Sequence, residues 1–211
     1  MLEFDAGDGI EVALGGGRSN FMALAETDPE YPDRHGNRRD GRDLIAEWRR
    51  RYPDGRYVWT QQQLSALDLT RTPRLFGLFE PDHMNYEHDR GKDRGGEPSL
   101  AQMTSAAISL LSRNRKGFLL VVEGGRIDHA HHAGNACRAL TDPVAFSDAV
   151  RAASGETGAT AWRVTRLDCL TPRSVTPTAR ATPAPATSRR RDPSSSRISF
   201  PVPRPPSAGP T

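Results

Sequence analysis

A chain of 211 residues with 36% hydrophobic residues and a formal net charge of +3 is long enough to bury a sizeable core, and no apolar run approaches the roughly 18 residues that cross a bilayer. The charge is unevenly placed: residues 163–211 hold nine Arg, no Lys and two Asp, a net +7, so residues 1–162 carry the remaining −4. An acidic body with an Arg-rich tail argues against a nucleic-acid-binding domain, in which basic residues mark a folded face.

Met1-Leu2-Glu3-Phe4-Asp5 has neither a basic cap nor an apolar stretch, so no secretory signal is expected in this chain. Its two cysteines, Cys137 and Cys169, argue against a disulfide framework and against a cysteine zinc site. In chain order, Gly9–Leu14 reads as a strand stopped by Gly15-Gly16-Gly17, which lack the Gly-Lys-Ser/Thr ending of a P-loop. Leu44, Ile45 and Trp48 recur at helical spacing within 42–51, and Arg56–Trp59 and Leu75–Phe79 read as strands. Ser99 stands as N-cap of a helix whose apolar face is Leu100, Met103, Ala107, Leu110 and Leu111. Phe118–Val122 has no polar interruption, which predicts a central strand covered on both faces.

This alternation predicts an α/β sheet packed by helices over residues 1–154. Beyond Gly155 the periodicity stops, and Pro, Ser, Thr and Arg dominate. Residues 155–211 are expected to be disordered, because apolar content there is too thin to offset the cost of ordering. The composition is that of GC-rich coding DNA read in a shifted frame, and a frameshift is the expectation; a genuine low-complexity linker is the alternative.

Glu123-Gly124-Gly125-Arg126-Ile127-Asp128-His129-Ala130-His131-His132 concentrates two acids and three histidines directly after the apolar run. Open α/β sheets place ligand sites at the carboxyl ends of their strands. A helix beginning near Asp128 would put Asp128 and His132 on one face, able to share a metal ion. An imidazole nitrogen with a carboxylate oxygen is a partial set for Zn²⁺ that needs a further ligand, whereas Glu123 alone suits a separate Mg²⁺ site. A solvated helix start whose histidines cap or hydrogen-bond at the surface is the competing reading.

The segment Val-Glu-Gly-Gly-Arg-Ile-Asp-His-x-His-His resembles the metal-ligand segment of alkaline phosphatases. Val12–Arg18, Asp28–Pro32, Arg39–Leu44, Leu78–Pro81 and Pro98–Leu100 resemble the animal-type branch in the same order, over roughly residues 9–153. The resemblance implies part of a central mixed β-sheet flanked by helices and hydrolysis of phosphate monoesters at a Zn²⁺/Mg²⁺ centre. It also implies homodimers in full-length members and secretion or periplasmic export.

By the same resemblance Glu123 is the magnesium ligand, and Asp128 and His132 are two ligands of one zinc. His129 and His131 fall at positions outside the main ligand set. Glu30, the backbone carbonyl of Phe79, Glu80 and Glu97 correspond to an extra Ca²⁺ site. Glu97 stands where the family usually has Asp, and two extra residues lie between Glu80 and Glu97. Pro143 lies where the family continues a helix, and an interior proline costs about 3 kcal/mol, so a break is expected near Asp142.

The family's nucleophilic serine in Asp-Ser-Ala, its phosphate-binding arginine and its later histidine ligands have no match in the 211 residues, in which His132 is the last histidine. The chain alone is therefore expected to be inactive. A non-catalytic metal-binding remnant and an Arg-tailed polyanion binder are the alternatives.

Overall fold

Leu75–Leu78 (β3) is fully buried along its length, and the described part of the fold is built on it. β3 is flanked by Val12–Gly15 (β1) and Arg56–Val58 (β2) in the order β1-β3-β2, parallel throughout. The computed structural model describes residue 4 and residues 9–157. The expectations for the rest of the tail, Cys169 included, lie outside the described residues.

A central parallel strand must be apolar on both faces, and β3 meets that demand by alternation. Leu75 and Phe79 enter one core with Val58, Leu64, Met103, Ala106, Leu110 and Leu111. Phe76 and Leu78 enter the opposite core with Trp48. There the Phe76 ring meets Phe21 edge-on at 5.2 Å and Trp48 at 5.5 Å, separations at which aromatic pairs attract beyond their burial.

Three of the helices start where a side chain satisfies an orphan amide of the first turn. Asp43 accepts from Ala46 N–H (2.9 Å) to open Leu44–Arg51 (α1), and Thr60 and Gln63 form a capping box on Gln61–Ser65 (α2). Glu87–Arg90 (α3) is a single turn. Ser99 and Gln102 form a second capping box on Leu100–Leu111 (α4), whose Met103, Ala106, Leu110 and Leu111 cover one face of the sheet. Arg126–His132 (α5) and Ala136–Thr157 (α6) complete the described chain, and α6 packs on α3, α4 and α5.

Two expectations need correction. Phe118–Val122 is not a strand: Leu119 is 87% exposed and Val121 81%, while Leu120 alone joins the core beneath α4. An apolar run becomes a strand only where a neighbour completes its ladder, and no described strand pairs with this one. The helix break is likewise misplaced. The chain breaks at 133–135, where Gly134 (φ 61°) ends α5 and Asn135 Oδ1 accepts from Arg138 N–H (3.1 Å) to start α6. α6 then runs on through Pro143. The proline removes one backbone donor from a helix packed along its length, whereas a left-handed glycine turns the chain out of the helix altogether.

Candidate metal centre

The Gly-rich turn after β1 is shaped by a close approach of two backbones. A Cβ on Gly16 would lie 2.2 Å from the carbonyl oxygen of Asp82, and Gly17 has φ 85°. Both positions therefore demand glycine. The turn feeds a short 3₁₀ segment, Arg18–Phe21, tied to the carboxyl end of β3 by Arg18 N–H to Glu80 O (2.9 Å) and Ser19 N–H to Pro81 O (3.0 Å).

This places the Arg18 guanidinium wholly inside the protein. It donates to both Asp28 oxygens (2.7 and 2.8 Å), to Glu30 Oε2 (2.8 Å) and to Leu78 O (2.9 Å). Burial works against the Asp28 carboxylate, but Arg18 and the amides of Glu30 and Tyr31 outweigh it and hold the group below its usual range.

Beside this ion pair, Glu30, Glu80 and Asp93 each present a carboxylate oxygen, all within 4.8 Å of one another. Glu30 is 8% exposed, Glu80 6% and Glu97 1%. Glu30 Oε1 accepts from Gly95 N–H (2.9 Å), and Gly95 lies so close that a Cβ would sit 2.8 Å from that oxygen. Asn85 links two acids: its side-chain amide donates to Glu80 Oε1 (2.9 Å), and its backbone N–H to both Glu97 oxygens (2.9 and 3.1 Å). Asp93 Oδ1 has a long contact from Tyr31 O–H (3.5 Å), while Asp93 Oδ2 is buried without a hydrogen-bond partner.

Burial and the facing carboxylates push Glu80 up to about 8 and Glu97 up to about 7, and Glu30 is also raised. The group carries more buried negative charge than Arg18 and Arg90 can balance. Each carboxylate must therefore take a proton or share a cation. Oxygen donors alone and an orphaned carboxylate oxygen fit a hard divalent ion such as Ca²⁺.

The second set of expected ligands lies on and before α5. Asp128 Oδ1 stands 3.5 Å from His132 Nε2, one turn apart, with both side chains substantially exposed. His131 Nδ1 lies 2.7 Å from Ile127 O, and His129 Nδ1 lies 2.9 Å from Arg126 Nη1, so these two rings are held by their own helix. Glu123 is exposed. Among the described residues no trio of ligand atoms closes around Glu123 or around the α5 pair.

Of the residues expected at a Ca²⁺ site, Glu30 and Glu80 are brought together, and Phe79 is buried beside them at the end of β3 with its N–H on Gly15 O (2.8 Å). Glu97 lies near, its carboxylate held by Asn85, and Asp93 stands in the group in its place. Arg18, Asn85 and Asp93 were not singled out from sequence. Asp93 sits in a charged stretch, Asp89–Arg94, that reads as a solvated loop, and the partners of Arg18 are 10 to 60 residues away.

The model of the alkaline phosphatase family matches residues 4–161. The tissue-nonspecific alkaline phosphatase of Gallus gallus is 47% identical over 147 residues, covering 67% of this chain and 28% of that protein. The alkaline phosphatase of Gadus morhua is 42% identical over 146 residues, covering 67% of this chain and 30% of that protein. The chain thus spans less than a third of the length of the curated relatives it matches. Among solved structures, Thermus thermophilus alkaline phosphatase superposes with a TM-score of 0.56 at 39% identity, over 71% of this chain and 27% of the other. With a family match over most of its length and an α/β sheet of the same kind, the chain belongs to the alkaline phosphatase family.

Proposed function

We propose that these residues form the cation-binding portion of a phosphate monoester hydrolase. In this reading Asp128 and His132 contribute to a Zn²⁺ site and Glu123 to a Mg²⁺ site. The buried acidic group beneath the end of β3 takes Ca²⁺. Residues 1–154 are the phosphatase portion and 155–211 a Pro/Arg/Ser/Thr-rich tail, and the 211 residues by themselves do not turn over. Export to the cell exterior or periplasm, and pairing of full-length subunits, belong to the same reading.

The observation that carries the proposal is the pairing of Asp128 with His132 on one face of α5, in a chain of this family. Bound zinc supplies Lewis-acid polarisation of a phosphoryl oxygen and lowers the pKa of an attached oxygen nucleophile. The protein's own contribution is orientation. α5 fixes the Asp128–His132 spacing, and Arg126 and the Ile127 carbonyl hold His129 and His131 in their local hydrogen bonds. Gly124 packs so closely on α6 that a Cβ would meet Phe146 at 3.1 Å, which fixes the backbone beside the exposed Glu123.

Two measurements test this. The purified chain should release no phosphate from p-nitrophenyl phosphate with Zn²⁺, Mg²⁺ and Ca²⁺ present; zinc-dependent turnover would refute the inactivity. Residues 9–153 exchanged for the matching segment of the Gallus gallus relative should give an active chimera that loses activity on Asp128→Ala or His132→Ala. A folded but inactive chimera would overturn the assignment of these ligands.

A further inference from the structure

Resting on the reading of the buried acidic group as a cation site, we propose that Asp93 rather than Glu97 supplies its third carboxylate, alongside Glu30 and Glu80. Three observations converge on Asp93. Its oxygen lies within 4.8 Å of ligand atoms from both glutamates, whereas that of Glu97 does not complete the trio. Its Oδ2 atom is buried with no hydrogen-bond donor, although the residue as a whole is only half-buried. Glu97 has both oxygens taken by one backbone amide, Asn85 N–H.

The exchange has a cause in the chain. The loop between Glu80 and Glu97 bends at Gly95 and Gly96, the latter at φ 73°, and Gly95 approaches Glu30 so closely that a Cβ there would displace the Glu30 carboxylate. That approach carries Asp93 over the two glutamates, with Tyr31 O–H against its other oxygen. A buried carboxylate oxygen without a donor is costly unless a cation or proton serves it. Calcium takes six to eight oxygens in a flexible shell, so a third carboxylate arriving from a new loop position is compatible with its chemistry.

Glu97 then acts as a positioning residue. By accepting Asn85 N–H it fixes the residue whose side-chain amide holds Glu80 Oε1. Its shorter relative, aspartate, would reach less far toward that amide.

The test is Ca²⁺ titration of the full chain by calorimetry, with thermal unfolding measured alongside and Mg²⁺ as comparison ion. Asp93→Asn should weaken Ca²⁺ binding by at least about tenfold, as expected for loss of one charged ligand, and Glu97→Gln by only about threefold. Removing a like charge should leave the metal-free melting temperature of Asp93→Asn at or above that of the unchanged chain, which separates lost binding from lost folding. Equal losses in the two variants, or a loss confined to Glu97→Gln, would overturn the exchange and leave the cation site standing. A full chain that shows neither Ca²⁺ heat nor a Ca²⁺-raised melting temperature would overturn the cation-site reading itself.

Discussion

Leu75–Phe79 and Phe118–Val122 are nearly interchangeable as sequence, yet one is the spine of the sheet and the other a ribbon with Leu119 and Val121 in solvent. The second has more β-branched character and no glycine, so propensity ranks them in the wrong order. The first has a ladder on both sides, a helix over one face and aromatic rings over the other. Of the second, only Leu120 packs against a core. An apolar run states a demand for burial, and its neighbours decide whether the demand is met.

The contrast can be broken most forcefully at the carboxyl end of β3. Arg18→Ala removes the cation from buried Asp28 and Glu30 and the donor from Leu78 O, and should cost about 3–5 kcal/mol in a urea unfolding curve. Phe76→Ala opens a cavity between Phe21, Trp48 and Tyr57 and should cost a similar ~3–5 kcal/mol in the same assay.

A pH series sharpens the picture further. With Glu80 at about 8 and Glu97 at about 7 in the folded chain, the metal-free native state holds protons that the unfolded chain has released. Their contribution is complete below the ordinary glutamate value and is lost as pH rises through 7 and 8. Glu30 and Asp93 face the same space, with Arg18 and Arg90 the nearby cations. Melting temperature in EDTA should therefore fall between pH 5.5 and 8.5, and Ca²⁺ should restore more of it at the higher pH. A melting temperature in EDTA that rises over this interval would contradict the assignment.

Smaller effects complete the series. Ser99→Ala removes the cap of the helix lying over β3 and should cost about 1 kcal/mol. Leu119→Lys, in the exposed ribbon, should shift stability by no more than about 0.5 kcal/mol. Amide exchange should separate the two runs without mutation, slow across 75–79 and fast at 119 and 121.

The legible parts of this fold are those whose signals are local. β1, β2 and β3 and the capped helices α1 and α4 could be read within a turn or two of sequence, as could the one-turn spacing of Asp128 and His132. What escaped reading depends on residues far apart in the chain. Arg18 looks like a surface arginine until its partners at Asp28, Glu30 and Leu78 are known. Asp93 becomes a candidate ligand only once Gly95 has turned its loop toward Glu30. The break at Gly134 is not legible beside Pro143, because a proline announces itself in sequence while a glycine reveals its handedness only in the backbone.

The strand order has a consequence for how the chain is made. Both outer strands, β1 and β2, are synthesised before the middle one, and each finds its only described partner in β3. At ribosomal rates of about 5–20 residues per second, the interval from Val12 to Leu75 leaves β1 without its partner for roughly 3–12 s. Until then the amides and carbonyls that β3 will pair are open to water or to another segment. The short length of β1 and the run of glycines at its end, of which Gly16 is needed later for the approach of Asp82, also make it a poor template for wrong pairing during that wait.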